Sequence, residues 1–160
     1  MRILVLMGQG GRATSPGMVS LAERLEEFGK SSVHAWDDPM VVQLLNAALR
    51  SGGKAAVVGY SLGANQLGYI SPLVHYRIDL GIAYDPSRFS PLVKNGVQTA
   101  PNFRKLVCYH NVGAWWFGGS RYEGPNVKTV KVNAFHLAVQ FDEALHLRTI
   151  EEIKQENENV

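Results

Sequence analysis

The stretch from Lys54 to Asn65, KAAVVGYSLGAN, constrains this chain more than any other. Ala55 to Val58 are small or β-branched, apolar and uncharged, which is the pattern of a strand buried on both faces. Gly59-Tyr60-Ser61-Leu62-Gly63 follows at once, and Ala64 to Leu67 continue with helix-compatible residues. Strand, G-x-S-x-G, helix is the context of a nucleophile elbow. The glycines have a steric reason. A serine on so tight a turn sits in a strained backbone, and a side chain two residues to either side would clash. The turn lifts the Ser61 hydroxyl out of the sheet and aims the next helix N-terminus at the same point. With 16 Gly and 10 Ser in 160 residues, chance supplies only roughly 0.1 such matches before any context is required.

The rest of the chain supplies the frame for that turn. Strands are expected at Arg2–Met7, Ser32–Trp36, Lys54–Val58, Arg77–Tyr84, Lys105–His110 and Val127–Val132. Helices are expected at Met18–Phe28, from the Asp37/Asp38 cap to Arg50, at Leu62–Ile70, and at Leu137–Gln155. Strands alternating with helices mean βαβ units. The expected fold is therefore α/β, a three-layer αβα sandwich around a mostly parallel sheet, in a single domain over residues 1–160. Gly113–Asn126, GAWWFGGSRYEGPN, is rich in glycine and aromatics and reads as a surface loop or small hairpin near the site.

Composition narrows the function classes. A net charge of +2, with no basic cluster beyond two adjacent residues, argues against a nucleic-acid partner. No apolar run approaches the length that spans a bilayer, and MRILVLMGQGG reads as a strand rather than a signal peptide. A cytoplasmic location is the expectation. Cys108, the one cysteine, sits in an apolar run and fits a reducing compartment. The five histidines show no metal-ligand spacing, so neither a metal nor a cofactor is expected. Oligomeric state is not readable.

A serine hydroxyl needs a base. His136 follows the last strand in a short loop, at the carboxyl edge of the sheet that also carries the elbow. His110 ends a strand and competes with it. His146 lies within the last helix, and His34 and His75 fit the order of the chain poorly. For the acid that orients the imidazole, Asp85 ends the strand Arg77–Tyr84 in an Asp-Pro-Ser turn. Asp142 is an alternative. The place one strand later carries His110 and Asn111, with no carboxylate. An oxyanion hole needs two N–H donors. Leu62, just after the serine, is one candidate, and Gln9 in the loop Gly8-Gln9-Gly10-Gly11 is the second. Gly10, Tyr60, Trp115 and Trp116 are candidate substrate-binding residues, and Phe117 stands beside them. A second reading of the first loop remains open at this level. Gly8 to Ala13 matches G-x-G-x-x-G/A after a strand, and Asp37 ends the second strand, as in a Rossmann-like nucleotide-binding or non-catalytic binding module.

On LVLMGQGG, VVGYSLGAN, AYDP and NAFHLAVQFDEALH, with Asn111-Val112 and Trp115-Trp116-Phe117 between them, the chain resembles the small, lidless α/β-hydrolases. It is most similar to cutinase-like esterases and to compact hydrolases of phages and prophages. The resemblance spans about residues 2 to 147. It implies a minimal α/β-hydrolase-like fold, Ser61 as nucleophile, His136 as base, Asp85 as orienting acid, and hydrolysis of an ester or related acyl bond in a small-molecule substrate.

Overall fold

The computed structural model describes residues 1–113 and 116–159. Trp115, a candidate binding residue, lies outside them. Among the described residues six strands form one sheet: β1 (Arg2–Leu6), β2 (Lys30–His34), β3 (Ala55–Tyr60), β4 (Ile78–Tyr84), β6 (Phe103–Asn111) and β8 (Val127–Val132). Their order across the sheet is β2-β1-β3-β4-β6-β8, and every pairing is parallel. The fold is thus α/β with a parallel central sheet flanked by helices. The helices are α1 (Pro16–Leu25), α2 (Met40–Arg50), α3 (Leu62–Ile70), α4 (His136–Val139) and α5 (Glu143–Glu158).

The alternation of apolar side chains along each strand builds two cores, one on each face. Ile3 and Val5 of β1 face Met18, Leu21 and Leu25 of α1 and Ile153 of α5. Leu4 and Leu6 point the other way, into a cluster with Val41 and Leu45 of α2 and Leu67 and Ile70 of α3. Strands β3 and β4 lie in the middle and are buried along their whole length. The edge strand β8 is largely exposed. Chain order reverses between β1 and β3, so the loops leaving these two strands open a crevice at the carboxyl edge. Such a switch point is where parallel sheets bind ligands. It receives Gly8–Gln9 from one strand and Ser61 from the other.

Several boundaries differ from expectation. Strand β2 ends at His34 because it pairs residue for residue with β1, Arg2 with Lys30 through Leu6 with His34. Helix α1 stops at Leu25, where Glu26 and Phe28 switch to tighter bonds with Glu23 and Leu25. Strand β6 runs on through Asn111, which pairs with Val132. The single last helix is in fact two. Asp142 adopts an extended backbone and its carboxylate accepts from Leu145 N–H, which starts α5 afresh. Among its described residues the Gly113–Asn126 segment forms no hairpin. Its short strand β7 (Arg121–Tyr122) pairs in parallel with β5 (Val97–Gln98) of the preceding loop, and a parallel pair cannot close through a tight turn.

Candidate active site

The β3–α3 turn is built as the glycine spacing demands. Ser61 has φ 56° and ψ −121°, a conformation that a residue with a side chain rarely adopts. A Cβ on Gly59 would stand 2.2 Å from the Gly63 carbonyl oxygen, and one on Gly63 would stand 2.4 Å from that of Leu6. The turn therefore closes only with glycine at both places. Ser61 N–H donates to Tyr84 O, which extends the sheet ladder into the bend. The side chain stays at the surface of a cavity of about 540 Å³.

His136 opens α4 and reaches Ser61. Ser61 Oγ lies 2.9 Å from His136 Nε2, and His136 Nδ1 lies 2.7 Å from Asp85 Oδ2. A carboxylate only accepts, so Nδ1 carries the proton and Nε2 accepts from the serine hydroxyl. The imidazole is fixed from two further directions. The Tyr60 ring stacks on it with centroids 5.2 Å apart and planes 26° apart, and Tyr60 O–H donates to the His136 carbonyl at 3.0 Å. Burial, with the nearby Asp85 charge, holds the Tyr60 phenol well above its ordinary pKa, so it remains a donor.

Asp85 is fully buried and also departs from the allowed norm, with φ 44°. Its carboxylate accepts three donors. Gly119 N–H binds Oδ1 at 2.7 Å, while Asn111 Nδ2 at 2.9 Å and His136 Nδ1 share Oδ2. The chain must run very close to achieve this. A Cβ at Gly118 would sit 2.1 Å from Asp85 Oδ1. The segment is stitched down by Ser120 N–H on the Pro86 carbonyl and by Arg88 Nε on the Gly118 carbonyl, 2.8 Å away. Asn65 of α3 clasps Ser87 through both its amide oxygen (2.8 Å) and its amide nitrogen (3.0 Å).

Asn111 is the residue that sequence reasoning undervalued. It is 1% exposed and uses its whole amide. Nδ2 donates to Asp85 and to the Ala134 carbonyl, and Oδ1 accepts from Gly113 and Ala134 N–H. It thereby ties the acid to the loop that carries His136. The signal available was positional, since Asn111 occupies the strand end next to Asp85. The competing groups are engaged elsewhere. His110 Nε2 meets the Gly119 carbonyl at 3.2 Å. His146 is buried, with Nε2 on the Gln140 carbonyl at 2.7 Å and Arg24 beside Nδ1. Asp142 caps α5. His34 binds Ser32 and Asp38, and His75 is exposed. Cys108 is sealed in the core, and burial pushes its thiol up to about 12, so it stays protonated.

Gln9, Gly10, Tyr60 and Leu62 all line the cavity beside Ser61. Leu62 is the first residue of α3, where N–H groups lack intrahelical partners. Its N–H and that of Gln9 donate to no acceptor among the described residues. The Gln9 peptide is held through its carbonyl, which accepts from Thr14 Oγ1. Trp116 does not line the cavity; it packs against Phe117 at 6.3 Å. Phe89, Phe117 and Leu137 form apolar wall that sequence reasoning had not assigned in full. The glycine loop departs from a dinucleotide cradle. Gly11–Ala13 is a 3-10 turn, α1 starts only at Pro16, and Gly8 N–H is taken by Ser15 Oγ at 3.0 Å. The helix N-terminus therefore does not meet the glycines. Among the described residues no three His, Cys, Asp or Glu side chains converge to hold a metal ion, and no helix is long and apolar enough to cross a membrane.

No protein-family model matches this sequence, and no curated protein matches it. Solved structures do. A protein from Thermus thermophilus, TT1662, is similar at a TM-score of 0.63 and 15% identity, over 99% of this chain and 90% of that one. Est1E from Butyrivibrio proteoclasticus is similar at 0.57 and 13%, over 96% and 85%. A proposed hydrolase of the alpha/beta superfamily from Xanthomonas campestris pv. campestris is similar at 0.50 and 12%, over 96% of both chains. At these identities the likeness is one of fold.

Proposed function

We propose that this protein is a serine hydrolase that cleaves an ester or related acyl bond through an acyl-enzyme. The observation that carries the reading is the unbroken hydrogen-bond chain from Ser61 Oγ through both nitrogens of His136 to Asp85. It sits at the mouth of a cavity, on a strained turn. The fold shared with a protein described as an alpha/beta-superfamily hydrolase supports it at the level of class. A small, lidless esterase of the cutinase-like kind is the finer form of the same reading.

The steps follow from the geometry. Ser61 Oγ attacks the substrate carbonyl carbon while its proton passes to His136 Nε2. The carbonyl oxygen becomes an oxyanion and takes the N–H groups of Leu62 and Gln9, each worth about 3–4 kcal/mol in the transition state. Asp85 holds Nδ1–H and stabilises the imidazolium. The C–O bond to the leaving group breaks as Nε2–H delivers its proton to that oxygen. Water then attacks the acyl-enzyme, losing its proton to His136, and the acid departs as Ser61 regains its hydrogen. No cofactor is needed for these steps.

The test is turnover of p-nitrophenyl acetate and butyrate by the folded protein and by His136→Ala. Cleavage by wild type, lowered about a thousandfold or more in the variant, is the expected outcome. A folded wild type that leaves both esters intact overturns the reading.

A further inference from the structure

The proposed hydrolase has an apolar wall beside its catalytic imidazole, and that placement bears on substrate class. Phe117 lies beside the imidazole, with ring centroids 6.2 Å apart and planes 35° apart. Phe89 braces Phe117 edge-on at 6.1 Å. Leu137 is the residue after His136 and projects into the same cavity. These three side chains are 66%, 56% and 63% exposed for Phe89, Phe117 and Leu137, so their apolar surface stands open to a ligand. Gln9, Gly10, Thr14, Leu62 and Ser87 also line the cavity, a mixture of polar groups, backbone and the Leu62 side chain. No Asp, Glu, Lys or Arg lines the cavity among the described residues.

Stereochemistry assigns the wall to one side of the substrate carbonyl. In the tetrahedral intermediate the oxyanion points to the N–H donors. The leaving oxygen must sit against His136 Nε2, because that nitrogen protonates it. A group attached to the leaving oxygen therefore extends past the imidazole, toward Phe117, Phe89 and Leu137. We infer that the aromatic wall beside His136 is the leaving-group site, and that the preferred substrates are esters of uncharged, apolar alcohols, alkyl or aryl. This rests on the serine-hydrolase reading above. An alcohol bearing a phosphate or carboxylate would find no cation in the wall to pair with.

Isomeric esters test the assignment, because they hold the same atoms on opposite sides of the carbonyl. Hexyl acetate and methyl heptanoate form one pair, and butyl acetate and methyl pentanoate another. Each methylene that enters an apolar site raises kcat/KM by roughly two- to fourfold. The expected result is a preference for hexyl acetate over methyl heptanoate of roughly tenfold or more, smaller for the butyl pair. Phe117→Ala should cut that ratio by roughly tenfold, and Phe89→Ala by about threefold, since the aromatic contact is removed or loosened. Both side chains are largely exposed, so neither variant threatens folding. A preference for methyl heptanoate, or a ratio unmoved by Phe117→Ala, overturns the assignment. If neither isomer is cleaved while p-nitrophenyl acetate is, the assignment fails and the hydrolase reading stands. If p-nitrophenyl acetate is also untouched, the underlying reading is what fails.

Discussion

Two neighbouring strand ends make this site, and they are treated in opposite ways. Strands β3 and β4 pair in register, with Tyr60 opposite Tyr84, so Ser61 and Asp85 leave the sheet side by side. Each continues the ladder by one bond, Ser61 N–H to Tyr84 O and Asp85 N–H to Tyr109 O. Each adopts a positive φ, 56° and 44°. The similarity ends at the side chains. Ser61 keeps its hydroxyl at the cavity, with His136 as its one partner among the described residues. Asp85 is fully buried and accepts three donors. One strand end leaves a hydroxyl at the cavity surface, and the other surrounds a carboxylate with donors. Strain of about 1–3 kcal/mol at each bend is held by different means, glycine spacing at Ser61 and hydrogen bonds at Asp85.

The comparison breaks most readily through Ser61→Ala. On the proposed mechanism kcat falls by roughly a hundred-thousandfold or more, while the melting temperature stays within about 2 °C, because the one group that loses its partner, His136 Nε2, lines the cavity. Thermal unfolding and ester turnover on the same sample check both halves. Asp85→Asn is the converse. Its amide nitrogen must face at least one of the three N–H donors, so activity falls about ten-thousandfold and stability falls by about 1–3 kcal/mol. If Asp85→Asn were as stable as Ser61→Ala, the contrast between the two strand ends would collapse.

Asn111→Ala sharpens it. The change removes four hydrogen bonds of the buried amide but leaves Asp85 two donors. The expected loss is about 2 kcal/mol of stability, with kcat reduced about tenfold to a hundredfold and KM little changed, because the group positions rather than reacts. Steady-state kinetics separates this from simple unfolding. The smallest effect comes from His146, away from both strand ends. Burial, reinforced by the Arg24 charge and only partly opposed by the bond to the Gln140 carbonyl, lowers its pKa below the usual 6.5. In the window below about 6.5 the unfolded chain therefore binds more protons than the folded one. Stability is full above that pH and is lost as pH drops through the folded value. Urea midpoints at pH 7.5 and pH 5 measure the loss, and His146→Gln should flatten this part of it.

The same contrast explains what could be read from the sequence. The Ser61 turn depends on residues within a few positions of one another. Gly59, Gly63 and the apolar run Ala55–Val58 declare it in one line of text, and with it the α/β frame. Chain order and sheet edge put His136 and Asp85 forward as candidates, with His110 and Asp142 as competitors. What holds Asp85 was not legible. Gly118 and Gly119 act only after the segment beyond β6 folds back over β4, a contact between residues 34 positions apart, and Asn111 acts from the neighbouring strand end, 26 positions from Asp85. No local pattern announces such a contact. The two-residue strands β5 and β7 escaped for the same reason, being too short to show a period. The break before α5 was written in Asp142-Glu143, an N-cap signal hidden in an otherwise helical run. Phe89 was passed over because one exposed aromatic in a loop has no pattern until Phe117 is placed against it.

The central claim is that the hydroxyl at the end of β3 is the reacting group. Incubation of the folded protein with a fluorophosphonate, followed by peptide mass spectrometry, tests it most directly. The account predicts one adduct per chain, on the peptide that carries Ser61, and none in Ser61→Ala. An unlabelled protein, or an adduct on a different residue that persists in Ser61→Ala, would contradict it.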